Sequence, residues 1–176
     1  MRCVTSWTPA PASSWGCDRG RRMKIGVVSD THGLLRPEVL DAFAGVDHIL
    51  HLGDIGDPAI LDRLRELAPV TAIRGNIDGS DACASLPATE YVTLGKWNLY
   101  LLHNVQELDV DPAAAGIHAV LFGHTHKPLL EHRSSVLFFN PGAAGPRRFS
   151  LPISAGLLHL GDAAGAIRAE HVVFRV

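Results

Sequence analysis

Short apolar runs, several of them β-branched, alternate with polar breaks along this chain. Residues 24–29 (Lys-Ile-Gly-Val-Val-Ser) form one such run and predict a buried strand. Residues 36–43 carry helical spacing, with Pro37 at a first-turn position where its missing N–H does no harm. A second strand is predicted over 48–52, closed by Gly53-Asp54, and a second helix over 57–67 with Asp57 as its N-cap. A third strand over 70–74 ends at Gly75-Asn76. Strand, helix, strand, helix, strand implies a parallel sheet with right-handed crossovers.

Beyond residue 90 the pattern changes. Residues 91–94 and 98–102 predict a hairpin around Gly95-Lys96, and 111–115 a short helix. Strands are predicted over 119–122, 129–133, 136–139, 153–160 and 167–174, separated by Gly, Pro or Ser. Two stacked sheets with helices outside use this content. The expected class is α/β, a two-sheet β-sandwich flanked by helices.

Polar clusters sit at or near the ends of these runs: Ser29-Asp30-Thr31-His32, Gly53-Asp54, Gly75-Asn76-Ile77-Asp78, His103, Gly123-His124-Thr125-His126 and Asn140-Pro141-Gly142. Functional loops of α/β folds gather at the carboxyl ends of parallel strands. That rule brings Asp30, His32, Asp54, Asn76, His124 and His126 to one sheet edge. Taken singly, each cluster is ordinary. Asp-x-His is a common loop sequence, Gly-Asp and Gly-Asn are turn sequences, and His103 is a plain strand-end histidine. Two imidazoles at i, i+2 after a buried strand are less usual. Jointly, two carboxylates, one amide and four imidazoles in this order are the donors that a pair of divalent ions requires. A carboxylate can bridge two cations at the roughly 3.5–4 Å separation of two-metal sites, and a bound ion lowers the pKa of water from about 15.7 to about 7. Oxygen and nitrogen donors without thiolate suit Mn, Fe, Zn, Ni or Co better than soft copper.

Composition adds exclusions. The 176 residues suffice for one domain with a core, and 47% hydrophobic against 19% charged marks a globular chain. A formal net charge of -2 gives no broad basic field for nucleic acid or an anionic membrane, although Arg147 and Arg148 make a local basic spot. No apolar run approaches a membrane span. Cys3, Cys17 and Cys83 form no Cys-x-x-Cys pair, which suits a reducing compartment and a cytoplasmic location. Residues 1–22 lack periodicity and an export-signal apolar region; Arg21-Arg22 is followed by too short an apolar stretch. They are expected to be a disordered extension or a misassigned start, with the domain over 23–176. His48, His118, His132, His159 and His171 are expected to be scattered surface or core histidines, and Trp97 a core residue.

The motifs together resemble those of the calcineurin-like metallophosphoesterases, and among them the small bacterial and archaeal YfcE-type phosphodiesterases. The resemblance spans residues 23–176 and implies a four-layer αββα fold. It implies that Asp30, His32 and His126 bind a first ion, that Asp54 bridges, and that Asn76, His103 and His124 bind a second. The ions would be Mn2+, with Fe, Ni, Co or Zn as alternatives. Asp54, Asn76 and His32 would be catalytic; Asn76, and Arg147 from a Pro-Arg pair after Asn-Pro-Gly, would contact substrate. The implied reaction is attack of a metal-bridging hydroxide on a small phosphodiester.

Two departures stand out. Many relatives carry His after the Gly-Asn asparagine, where this chain has Ile77, and Gly after the strand-end His, where it has Asn104. The YfcE-type group often lacks that first His too. Ile77 cannot transfer a proton, so the leaving group must take one from water, His32 or another group. Two alternatives remain: a scaffold similar to the retromer subunit Vps29, with a reduced metal site, and a phosphatase or nucleotide pyrophosphatase of the same superfamily. A scaffold needs no intact donor set, and this chain keeps every position. A homo-oligomer is compatible with the pattern.

Overall fold

The computed structural model describes residues 22–79, 82–161 and 166–175. Within them, ten strands make two five-stranded sheets. The first sheet has the order β10 (Ile167–Phe174), β9 (Ile153–Leu160), β1 (Met23–Val28), β2 (His48–His51), β3 (Val70–Ala72). The second has the order β4 (Thr89–Leu94), β5 (Trp97–Leu102), β6 (Ala119–Leu121), β8 (Val136–Asn140), β7 (Leu129–Arg133). β1, β2 and β3 are parallel neighbours, as are β5, β6 and β8; β9 pairs antiparallel with β1, and β9–β10, β4–β5 and β7–β8 are antiparallel hairpins. The apolar runs become central strands because they are buried on both faces, which parallel strands require.

Period-2 alternation sorts the core. Ile25 and Val27 of β1 and Leu50 of β2 pack with Leu99, Leu101, Ala119, Leu121 and Phe139 to fill the space between the sheets. Val28 and Ile49 instead meet Val39 and Phe43 in or beside α1 (Pro37–Ala42), and Ile60, Leu61 and Leu64 of α2 (Ala59–Arg65). Trp97 is buried, and its indole N–H donates to Gly161 O, as a core residue should.

Two expectations needed adjustment. Asp57 is not the N-cap of α2; that position is Pro58, and the Asp57 carboxylate accepts from Ala59 N one step inside. Residues 111–115 make a single turn closed by Ala115 N to Asp111 O, ended by Gly116 at φ +67°, and not a helix. The two α-helices lie against the outer face of the first sheet. The outer face of the second is covered by Val105, Leu108 and Ile117, from non-α segments, packed on Val120 and Phe138. Residues 1–21, including Cys3 and Cys17, lie outside the described residues.

Candidate metal centre

Four loops leave the carboxyl ends of β1, β2, β3 and β6 on one edge, and hydrogen bonds lock them together. Asp30 N donates to Gly53 O (3.0 Å), His32 N to Asp54 O (2.9 Å) and Gly33 N to Ile55 O (2.8 Å), so the first two loops run as a continued ladder. The buried Asp78 carboxylate accepts from Ile55 N (3.0 Å), Gly56 N (3.1 Å) and Gly75 N (2.8 Å), which clamps the second loop to the third. Here glycine is required: a Cβ on Gly75 would stand 2.3 Å from Asp54 N, and one on Gly53 would stand 2.7 Å from Gly75 N. The fourth loop is held by Asn140 of the Asn-Pro-Gly turn, whose amide donates to Gly123 O (2.7 Å) and Thr125 Oγ1 (3.2 Å).

These loops and the end of β5 bring the candidate donors named from the sequence to one edge. Asp30 Oδ2 accepts from Ser29 Oγ (2.6 Å) and His124 N (3.2 Å), which leaves Oδ1 aimed inward. There it faces His126 Nε2 at 3.2 Å and His32 Nε2 at 3.9 Å. Asp54 divides its two oxygens: Oδ2 faces His32 Nε2 at 3.7 Å and Oδ1 faces His103 Nε2 at 3.4 Å. His103 Nδ1–H donates to Leu52 O (2.7 Å), which turns Nε2 toward the carboxylates. His124 Nδ1 lies 3.1 Å from Asn76 Oδ1, and the His124 ring packs edge-on against His103.

The donor set fits divalent ions. Donor atoms of Asp30, His32 and His126 lie within 4.8 Å of one another, and so do those of Asp30, Asp54 and His103. Asp30 Oδ1 is buried without a hydrogen-bond partner. Such orphaned polar atoms are costly unless something else satisfies them.

Backbone conformation marks the same residues. Asp30, His32, Asp54, His124 and His126 all have φ between 46° and 66°. Left-handed conformation is uncommon outside glycine, and strained residues of this kind cluster at functional sites.

Electrostatics follow from enclosure. Burial works against ionisation of Asp54, yet the His103 hydrogen bond and charge, the Ile77 N–H and His32 together hold its pKa below the ordinary carboxylate range. Burial likewise opposes the charged form of His103, but its bonds to Asp54 and Leu52 O prevail and raise its pKa. Burial lowers the pKa of His32 despite Asp54 and Asp30; the positive charge of Arg148 adds to the lowering.

Sequence reasoning passed over three residues that serve this edge. His51 is buried inside an apolar strand, and no spacing signals it. Its Nδ1 accepts from Gly53 N (3.3 Å) and its Nε2 meets Thr31 Oγ1 (3.0 Å), which donates on to Ile55 O (3.0 Å). Burial lowers its pKa to about 4. Asp78 was noted as present but without its clamping role. The positive charge of Arg148 bears on His32; Arg147 and Arg148 are both exposed. Ile77 is exposed, and its contribution is its backbone N–H to Asp54 Oδ1 (3.1 Å). Asn104 has φ −108°, so its turn does not require glycine, and its side chain accepts from Gln106 N. The expected scattered histidines have other partners: His118 Nδ1 accepts from Asn98 N, His159 pairs with Glu170, and His171 meets Asn140 O.

Two packed sheets with carboxylates and imidazoles converging at one edge define a metal-dependent phosphoester hydrolase. The calcineurin-like phosphoesterase superfamily domain matches residues 23–163, and the chain belongs to that superfamily. It is similar to a probable metallophosphoesterase of Methanocaldococcus jannaschii, 34% identical over 137 residues that cover 70% of this chain and 69% of the relative. It is similar to the phosphodiesterase YfcE of Escherichia coli, 32% identical over 160 residues that cover 77% of this chain and 87% of the relative. The solved structure of that phosphoesterase superposes with a TM-score of 0.62, covering 87% of this chain and 100% of that one at 26% identity. The Vacuolar Protein Sorting 29 structure from Cryptosporidium parvum gives a TM-score of 0.70 over 87% of this chain and 98% of that one; at 18% identity it speaks for the fold alone. Among the described residues, no helix is long and apolar enough to cross a membrane.

Proposed function

We propose that this chain is a dinuclear-metal phosphodiesterase acting on small phosphodiesters. The observation that carries this reading is the division of Asp54, whose two oxygens face His32 at 3.7 Å and His103 at 3.4 Å. In this reading Asp30, His32 and His126 hold one ion, Asn76, His103 and His124 the other, and Asp54 joins them. Mn2+ is the proposed ion. When bound, such a pair supplies an activated water near neutral pH and positive charge for the phosphoryl oxygens.

The chain's own residues set the rest. Asn76, exposed beside His124, offers its amide to the phosphoryl group as charge grows there. Beside Asn76 and His103, a cleft of 230 Å³ bordered by Arg74, Thr89 and Asn104 leaves room for an ester arm. Ile77 cannot protonate a departing alcohol. Leaving groups that are already acidic are therefore favoured, and aryl diesters should outrun alkyl monoesters. The scaffold reading is weaker because every expected donor is kept. Cysteine spacing supports a reducing, cytoplasmic setting.

The test is hydrolysis of bis-p-nitrophenyl phosphate beside p-nitrophenyl phosphate, after metal stripping and with Mn2+ restored. Metal-dependent turnover that prefers the diester is expected. A preference for the monoester would move the chain to the phosphatases. No turnover with any divalent ion, in folded protein, would favour the scaffold.

A further inference from the structure

The segment after the Asn-Pro-Gly turn is built onto the Asp30 loop. Ala144 N donates to Ser29 O (3.1 Å) and Gly145 N to Asp30 O (3.2 Å). The approach is so close that a Cβ on Gly145 would lie 2.2 Å from Thr31 O. Arg36 adds Nε and Nη2 bonds to Gly145 O, each 3.3 Å. The chain is thus pinned beside Asp30. It then leaves the surface: residues 146–150 are all exposed, and Leu151 N to Arg148 O (3.1 Å) closes a tight turn around Phe149.

Phe149 is 94% exposed and sits at φ 52°, a left-handed conformation that a bulky residue rarely adopts. The next most exposed large apolar residue described, Val173, reaches only 56%. Its neighbour Arg148 is exposed on the same turn, just beyond the point where the chain is pinned to the Asp30 loop. Ile77, which follows Asn76, is exposed as well.

Resting on the phosphodiesterase reading above, we propose that this turn selects the substrate. Arg148 meets the phosphate beside the Asp30 loop, and Phe149 stacks on a flat aromatic ring carried by one ester arm. The substrate class is a phosphodiester with an aryl or nucleoside arm. Stacking suits this role because every aryl or base ring presents a π face, and a guanidinium suits an anionic phosphate.

The test uses the full chain with Mn2+, hydrolysing bis-p-nitrophenyl phosphate in competition with methyl phosphate, phenyl phosphate or thymidine 5′-phosphate. The Phe149→Ala variant should raise the inhibition constants of the two ring-bearing esters about tenfold and leave methyl phosphate within about twofold. Phe149→Trp should keep the wild-type ranking. Arg148→Ala should weaken all three by a common factor, because the phosphate is what they share, and Arg148→Lys should recover part of that loss. A Phe149→Ala effect on thymidine 5′-phosphate alone would support a nucleoside arm, and an effect on both rings would support any flat ring. Folding is not at risk at a position so exposed. Unchanged constants in Phe149→Ala beside a fully active wild type would overturn this inference alone. A wild type without turnover on any diester would overturn the site reading and this inference with it.

Discussion

On one side of Asp54, Asp30 and His126 are buried and His32 is nearly so; on the other, Asn76 and His124 are exposed and His103 alone is enclosed. The enclosed half draws on β1 and the end of β6, with Asp30 backed by Ser29 Oγ and His124 N. The open half hangs on loop residues after β3 and β6. Desolvated donors held in place bind a cation with little reorganisation, whereas exposed donors must first shed water and become ordered. On the proposed two-ion reading, the difference predicts a division of labour: one half should retain its ion, and the other should exchange ligands where substrate enters.

The largest effect should come from the residue that joins the halves. Asp54→Ala should abolish turnover and empty both positions, a loss beyond the about 10–100-fold typical of a residue that only backs a ligand. Metal content by mass spectrometry of purified protein checks this, and full activity in a metal-loaded Asp54→Ala protein would sink the site model. Next, the halves should separate. His126→Ala should remove the ion of the enclosed half, while His124→Ala should retain about one ion per chain and recover part of its activity in excess Mn2+. Equal metal loss and equal rescue in the two variants would erase the proposed asymmetry.

The smallest effect concerns the support beneath the enclosed half. His51 is kept neutral, chiefly by burial, which outweighs Asp78, Asp30 and Asp54; its pKa is lowered to about 4. Above its ordinary value near 6.5 the folded and unfolded chains are both neutral there, and its contribution is complete. As pH falls from 6.5 to 4, the unfolded chain takes up a proton that the folded chain does not, and about 3 kcal/mol is lost. Urea unfolding of metal-free protein should show this decline, and His51→Gln should flatten it. An unchanged slope in that variant would assign the pH dependence to other groups, such as His48, whose pKa burial also lowers.

Much of this could be read along the chain. Residues 129–133, 153–160 and 167–174 were legible as strands because exposure alternates along β7 and β10 and β9 is an almost continuous apolar run. The candidate donors stood out because each follows such a run. What the pattern could not carry was three-dimensional support. His51 looks like any strand residue, since its partners Thr31 and Gly53 meet it only once β1 and β2 pair. The predicted helix at 111–115 failed because Asp111 caps the N–H groups of Ala113 and Ala114 and Gly116 ends the turn at once.

The left-handed backbone at Asp30, His32, Asp54, His124 and His126 has a consequence for how such a chain can drift. Each strained position costs on the order of 1–3 kcal/mol, and glycine or asparagine would adopt the same shape more easily. Selection for robustness alone would erode these loops toward glycine and asparagine. Turnover is what keeps histidine and aspartate there, so a descendant freed from catalysis should become harder to unfold as it becomes inert.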